Sequence, residues 1–222
     1  MNRLAVFCDF DGTIARRDVG YNFFRHFSKG ENEKLIPAWV AGTLTTRDCL
    51  LQEAAMVTIE DGELHPFLDQ FTLDPGFARF VGECEENKTA LVVISDGLDF
   101  YIRHILTRHD MHHLPLIANL GRIVDGKVEV AFPFDNPRHD GCGVCKGERI
   151  AEFRRKNPKT GTIVYVGDGY SDKCAATEAD VLFAKKELRR YCDDNQIVYY
   201  SYDTFDDVGH RLHKLGLWPQ ST

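Results

Sequence analysis

Three short stretches concentrate the residue types able to do chemistry. They are Asp9-Phe10-Asp11-Gly12-Thr13, Ser95-Asp96-Gly97 and Gly167-Asp168-Gly169-Tyr170-Ser171-Asp172. Residues two apart in an extended chain point the same way, so the spacing predicts that Asp9 and Asp11 share a face. Carboxylates set side by side are costly unless a cation holds them. Together with Asp168 and Asp172 they make an all-oxygen donor set of the kind magnesium prefers. Phosphoryl transfer needs an in-line nucleophile, cancellation of charge on the transferring oxygens and a proton for the leaving group. A carboxylate can serve as that nucleophile and become an acyl phosphate. Ser95 and the backbone amides around Asp96 and Gly97 can hold a phosphate at a helix start. Lys146 opens a helical stretch at 147–157 after a Gly/Cys-rich loop and could bring a positive charge. Helix capping is the simpler account of any one of these turns, since Asp and Ser are good caps; it is a poor account of all three.

The elements that must position these residues are legible as well. Leu4 to Cys8, Ala90 to Ile94 and Thr162 to Val166 are short apolar runs, the pattern of strands buried on both faces. Each ends in one of the polar turns and is followed by a helix-like segment, which predicts an α/β fold with a parallel sheet. Ligands of such sheets bind at the carboxyl ends of the strands, so the three turns should converge. About eighty residues separate the first two strands, far beyond the length of an ordinary βα connection. Within them, Asp18 to Phe71 has apolar positions at helical spacing, among them Phe23, Phe24, Phe27, Leu35, Ile36, Trp39, Leu50 and Ala54. The expectation is a small helical cap at 16–73 over a core built from 1–15 and 74–222. Asp125-Gly126 between Leu116–Val124 and Lys127–Phe132 signals a β-hairpin. The last third predicts a helix at 185–195, a strand at 197–200 and a helix at 205–215.

Composition excludes several classes. The formal net charge of -7 provides no basic footprint for a nucleic-acid partner. Seven cysteines, scattered and odd in number, fit reduced thiols in a cytoplasmic protein better than a disulfide framework. No apolar run reaches the ~18 residues of a membrane span, and the N-terminal run is too short for a signal segment.

In order and spacing, these motifs resemble the haloacid dehalogenase-like phosphatases. Asp9 to Thr13 looks like their first motif, Ser95 their second, Lys146 their third and Gly167 to Asp172 their fourth, so the resemblance spans essentially the whole chain. It implies a Rossmann-like core with Asp9 as nucleophile and Asp11 as the general acid/base. It also implies magnesium held by Asp9, the backbone carbonyl of Asp11 and Asp168, with Asp172 close behind. A helical insertion after the first motif is the cap position of the subgroup that includes the phosphoserine phosphatases, and Pro75-Gly76 looks like that subgroup too. Within it, Cys142-Gly143-Val144-Cys145-Lys146 and Ser95 to Phe100 most resemble the methionine-salvage phosphatases acting on 2-hydroxy-3-keto-5-methylthiopentenyl-1-phosphate. The phosphoethanolamine/phosphocholine phosphatases are similar. Asp96 departs from the salvage pattern, which has glycine there, and a carboxylate beside phosphate would have to turn outward.

The expected partner is a small phosphorylated metabolite, bound by a monomer or homodimer. Asp18 and Glu53 are candidate substrate contacts in the cap, with Asp96 and Gly97 at the phosphate. Two acids near the leaving group would disfavour anionic leaving groups such as phosphoserine. Helix N-capping by Asp18 and simple solvation of Glu53 are the plainer alternatives. A reading from another class makes the chain a zinc- or redox-binding module using Cys142 and Cys145, with His139 as a third ligand. A lone CxxC falls short of the four ligands of a structural zinc site, and a tight loop presenting Lys146 is the alternative.

Overall fold

A computed structural model describes residues 3–134 and 141–219. In chain order it contains β1 (Arg3–Cys8), α1 (Val19–Phe27), α2 (Ile36–Val40), α3 (Thr46–Met56), α4 (Leu64–Leu68), α5 (Phe77–Glu86), β2 (Ala90–Leu98) and α6 (Asp99–Arg108). There follow β3 (Leu116–Val124), β4 (Lys127–Ala131), α7 (Lys146–Lys156), β5 (Thr160–Gly167), α8 (Lys173–Ala176), β6 (Val181–Ala184), α9 (Lys186–Asn195), β7 (Tyr200–Ser201) and α10 (Phe205–Lys214). The strands form one sheet in the order β4-β3-β2-β1-β5-β6-β7, parallel except for the β3–β4 hairpin. At that hairpin's turn Asp125 and Gly126 both have positive φ, 48° and 72°, as a type I′ turn requires.

β1 lies in the middle, and the chain leaves it toward β2 on one side and β5 on the other, so its carboxyl end is the switch point where α/β sheets bind ligands. Alternation along β1 divides the core into two layers. Leu4, Val6 and Cys8 pack on the face covered by α1, α5, α6 and α10, whereas Ala5 and Phe7 pack toward α7 and α9. Phe23, Phe27 and Phe67 of the inserted helices share the first of these layers, so the insertion is welded to the sheet by apolar contact. Ala15 and Leu73 form an antiparallel bridge that closes its two ends.

Several expected boundaries shift. The helical stretch from Asp18 to Phe71 is broken into α1 to α4 with a 3₁₀ turn at Glu31–Lys34, because Gly30 and Gly42 adopt positive φ between them. β2 does not stop at Ile94 but continues irregularly through Ser95, Asp96 and Gly97 to Leu98, so no helix begins at those residues. The expected strand at 197–200 reduces to Tyr200–Ser201, since only Tyr200 and Ser201 reach register with β6. Among the described residues, no helix is long and apolar enough to cross a membrane.

Candidate active site

At the carboxyl end of β1 the chain turns through Phe10–Ile14, with Asp11 itself extended at φ -71° and ψ 118° and Gly12 at φ 74°. Asp9 and Asp11 both line one cavity of about 450 Å3, but their carboxyls face different partners. Gly12 has no room for a side chain: a Cβ there would collide with Asp168 and lie 2.9 Å from Lys186 Nζ.

Asp9 is nearly buried and accepts a hydrogen bond from Lys146 Nζ at 2.7 Å. Lys146 is 0% exposed and also donates to Asp172 Oδ1 at 2.6 Å and Ser171 Oγ at 3.1 Å. Burial alone would lower the lysine, but Asp172, Asp9 and Asp96 outweigh it and hold the ammonium above its ordinary value. Asp9 is in turn raised by burial and by Asp172, with Lys146 opposing. Asp172 has both oxygens committed. Oδ1 also accepts from Tyr165 OH at 2.5 Å, and Oδ2 accepts from the amides of Asp168 and Gly169 at 2.9 and 3.0 Å.

Asp168 completes the cluster. Asp9, Asp168 and Asp172 bring one carboxylate oxygen each within 4.8 Å of one another, the only such grouping of metal-ligating side chains among the described residues. The donor set is all oxygen and more negative than Lys146 can offset, which fits a hard divalent cation. The Asp11 carboxyl is outside this cluster, so any part Asp11 plays there falls to its backbone.

The Asp11 carboxyl instead accepts from the amides of Val19 and Gly20 at 2.7 and 3.0 Å, at the start of α1, and from Ser95 Oγ at 3.3 Å. Burial and the nearby charge of Asp18 push it up to about 7, against the pull of those two amides. Ser95 Oγ also accepts from the Gly97 amide at 2.9 Å, so that amide is turned inward. Asp96 also lines the cavity and acts on Lys146; its carboxylate accepts from Val144 N at 2.6 Å, and its carbonyl from Asn119 Nδ2 at 2.7 Å.

The inserted helices supply the far wall. Asp18 lines the cavity and at the same time caps α1 by accepting from Tyr21 N at 2.7 Å. Glu53, expected to be solvated if not functional, is instead only 8% exposed and accepts from Asn32 Nδ2 at 2.9 Å. Burial pushes it up to about 7. Phe24, Ile36, Trp39 and Leu50 give this wall an apolar surface.

Lys186 was not anticipated. Its Nζ meets Asp168 Oδ2 at 2.7 Å and the Gly12 carbonyl at 3.2 Å, bridging the first and last acidic turns. No motif marks it; only the strand-to-helix transition after β6, beside the other strand ends, could have drawn attention to it. Thr13, donating to Asp168 Oδ1 at 3.1 Å, was within the first motif but unassigned. The CxxC thiols are free, and Cys145 interacts with Cys142 and with Cys174 of α8. His139 lies outside the described residues.

Residues 6–177 match the haloacid dehalogenase-like hydrolase family. A 2-hydroxy-3-keto-5-methylthiopentenyl-1-phosphate phosphatase of Brevibacillus brevis is 30% identical over 214 residues, covering 93% of each chain. A protein of the same description from Bacillus mycoides is 29% identical over 96% of this chain and 97% of its own. Among solved structures, a phosphoserine phosphatase holding a phospho-aspartyl intermediate analogue superposes with a TM-score of 0.73 over 95% of this chain and 98% of its own, at 17% identity. That likeness speaks to fold.

Proposed function

Since this chain belongs to the haloacid dehalogenase-like hydrolase family and is a phosphatase, we propose that it hydrolyses a small cytoplasmic phosphomonoester through an aspartyl-phosphate on Asp9. The observation that carries this reading is a pair of carboxyls at one strand end that share a cavity but not their partners. Burial raises both, but Asp9 accepts from the Lys146 ammonium within the acidic cluster, while Asp11, raised to about 7, accepts from two amides and Ser95 outside it. A carboxylate beside a cation and metal-ligating acids suits nucleophilic work, and one poised near neutral pH suits proton transfer.

With Asp9 Oδ1 engaged by Lys146, its other oxygen is left to attack phosphorus as the ester bond breaks. Asp11 gives its proton to the departing oxygen, then takes one from the water that attacks the acyl phosphate, releasing phosphate and restoring Asp9. Ser95 and Lys146 bind the phosphoryl oxygens, and the Asp96 carboxylate beside them is held by the Val144 amide. Magnesium would be held by Asp9, Asp168 and the Asp11 carbonyl, with Asp172 keeping Asp168 and Lys146 in place. When bound, the cation supplies neutralisation of charge on the phosphoryl group. Residues 16–73 act as a cap that excludes water from a core of 1–15 and 74–222, in a monomer or homodimer.

For the substrate we favour 2-hydroxy-3-keto-5-methylthiopentenyl-1-phosphate. The apolar wall of Phe24, Ile36, Trp39 and Leu50 suits a methylthio tail. Phosphoserine suits the cleft poorly, because Lys186, the one cation among its described lining residues, is already paired with Asp168. Asp18 and Glu53 also suit a cationic aminoalcohol, so phosphoethanolamine and phosphocholine are the second choice. The deciding experiment compares kcat/KM for these four esters at fixed magnesium and traps the phosphorylated enzyme by acid quench. Label on Asp9 and preference for the methylthio ester support the proposal. Label elsewhere overturns the mechanism, and preference for phosphoserine overturns the substrate.

A further inference from the structure

A second cavity, of about 640 Å3, lies beyond the carboxyl ends of β6 and β7, between α9 and α10. This is the carboxyl-end side of the sheet, away from the switch point at β1, and the volume suits a small molecule. Its walls carry Arg16, Lys185, Lys186, Arg189 and Arg211 in a chain whose net charge is -7. Lys186 is neutralised by Asp168. The other four form no ion pair with a carboxylate among the described residues.

Aromatic rings hold two of these cations without neutralising them. Lys185 Nζ sits 4.6 Å from the centre of the Tyr202 ring and Arg211 Cζ 4.8 Å from that of Tyr200. Tyr202 is itself fixed, its OH donating to the Gly167 carbonyl at 3.2 Å. Two acids also line the cavity. Asp207 accepts the amides of Asp203 and Thr204 on one oxygen, both at 3.0 Å, at the start of α10, and together with Asp203 it opposes the cations. Lys185, as N-cap of α9, offers no side-chain acceptor to that helix's first amides either. Four cations without a carboxylate salt bridge outnumber the two lining acids, and two of those cations are held by rings, which leaves an excess of positive charge arranged for an anion.

We propose that this groove binds a small polyanion carrying two or more phosphoryl groups. The site is distinct from the catalytic cleft and shares with it only the wall formed by Lys186. Two phosphoryl groups fit better than one because the free cations come from separate elements: Arg16 from the turn after β1, Lys185 and Arg189 from α9, and Arg211 from α10.

The test is calorimetric titration of the magnesium-loaded enzyme with inorganic pyrophosphate, at fixed free magnesium and with enough orthophosphate to fill the catalytic cleft. One-to-one binding is expected, weakened at least tenfold in R189Q/R211Q while the variant's KM for its phosphomonoester substrate stays as in wild type. A second measurement does not depend on the variant: pyrophosphate should protect Lys185 of the wild-type enzyme from an amine-acetylating reagent, read by peptide mass spectrometry. Absence of binding at millimolar pyrophosphate, equal binding in R189Q/R211Q, or acetylation of Lys185 at an unchanged rate each overturns the proposal. None of these outcomes bears on phosphoester hydrolysis, which is assayed separately.

Discussion

Glu53 allows the charge balance of the cleft to be read from stability. Its carboxyl is pushed from 4.5 to about 7 by burial, with the Asn32 hydrogen bond opposing and Asp18 adding to the rise. The folded protein therefore holds a proton that the unfolded chain has already released. Stability contributed by that proton is fully present below pH ~4.5 and is lost as pH rises through about 7. A rise of about 2.5 units corresponds to ~3 kcal/mol. Glu53→Gln keeps the side-chain shape and an oxygen for Asn32 but removes the titration. The variant should match wild type near the low end of this window and exceed it by ~3 kcal/mol above the high end, or about 6–12 °C in melting temperature for a chain of this size. Asp11, also raised to about 7, titrates in both proteins and cancels in the difference. The assay is urea unfolding of the metal-free proteins at several pH values across the window. A difference that stays flat with pH, or favours wild type as pH rises, refutes the buried, proton-holding Glu53.

Lys186→Met should tighten divalent-cation binding about fivefold, because the half-exposed pair with Asp168, worth ~1 kcal/mol, no longer competes; weaker binding by calorimetry would contradict this. Trp39→Ala should raise KM for the methylthio ester about tenfold, the loss expected of ~1–2 kcal/mol of apolar contact, while leaving hydrolysis of acetyl phosphate unchanged, and equal loss on both substrates would speak against the cap wall. Cys142→Ser/Cys145→Ser should retain magnesium-dependent turnover, since the thiols touch one another rather than the acidic cluster; stoichiometric zinc in wild type, lost together with the fold in this variant, would reverse that reading.

The acidic turns and the strands beneath them were legible in the sequence because each is local. An apolar run followed at once by Asp or Ser reports burial and chemistry within a few residues, so Asp9, Asp11, Ser95 and Asp168 could be named with no knowledge of what lies beside them. Lys146 and Asp172 were legible as types in sequence order, but not as a fully buried ion pair joined by Tyr165; that depends on α7 and β5 meeting under β1. The different fates of Asp9 and Asp11 were also beyond the sequence. Two-residue spacing places both on one cavity, but the turn that begins at Phe10 leaves the Asp11 carboxyl on the amides opening α1. Glu53 could be named as a candidate cap contact but not as a buried, proton-holding group, because its burial comes from Asn32 and helices distant in sequence. Lys186 and the cations facing α10 carried no signal at all. Charged residues near helix starts are common, and only the convergence of separate elements leaves Lys186 on Asp168 while Arg16, Lys185, Arg189 and Arg211 make no salt bridge among the described residues. Short-range pattern thus determined the elements and the chemistry they present, whereas protonation, pairing and the second basic groove arise from long-range contacts that no local pattern encodes.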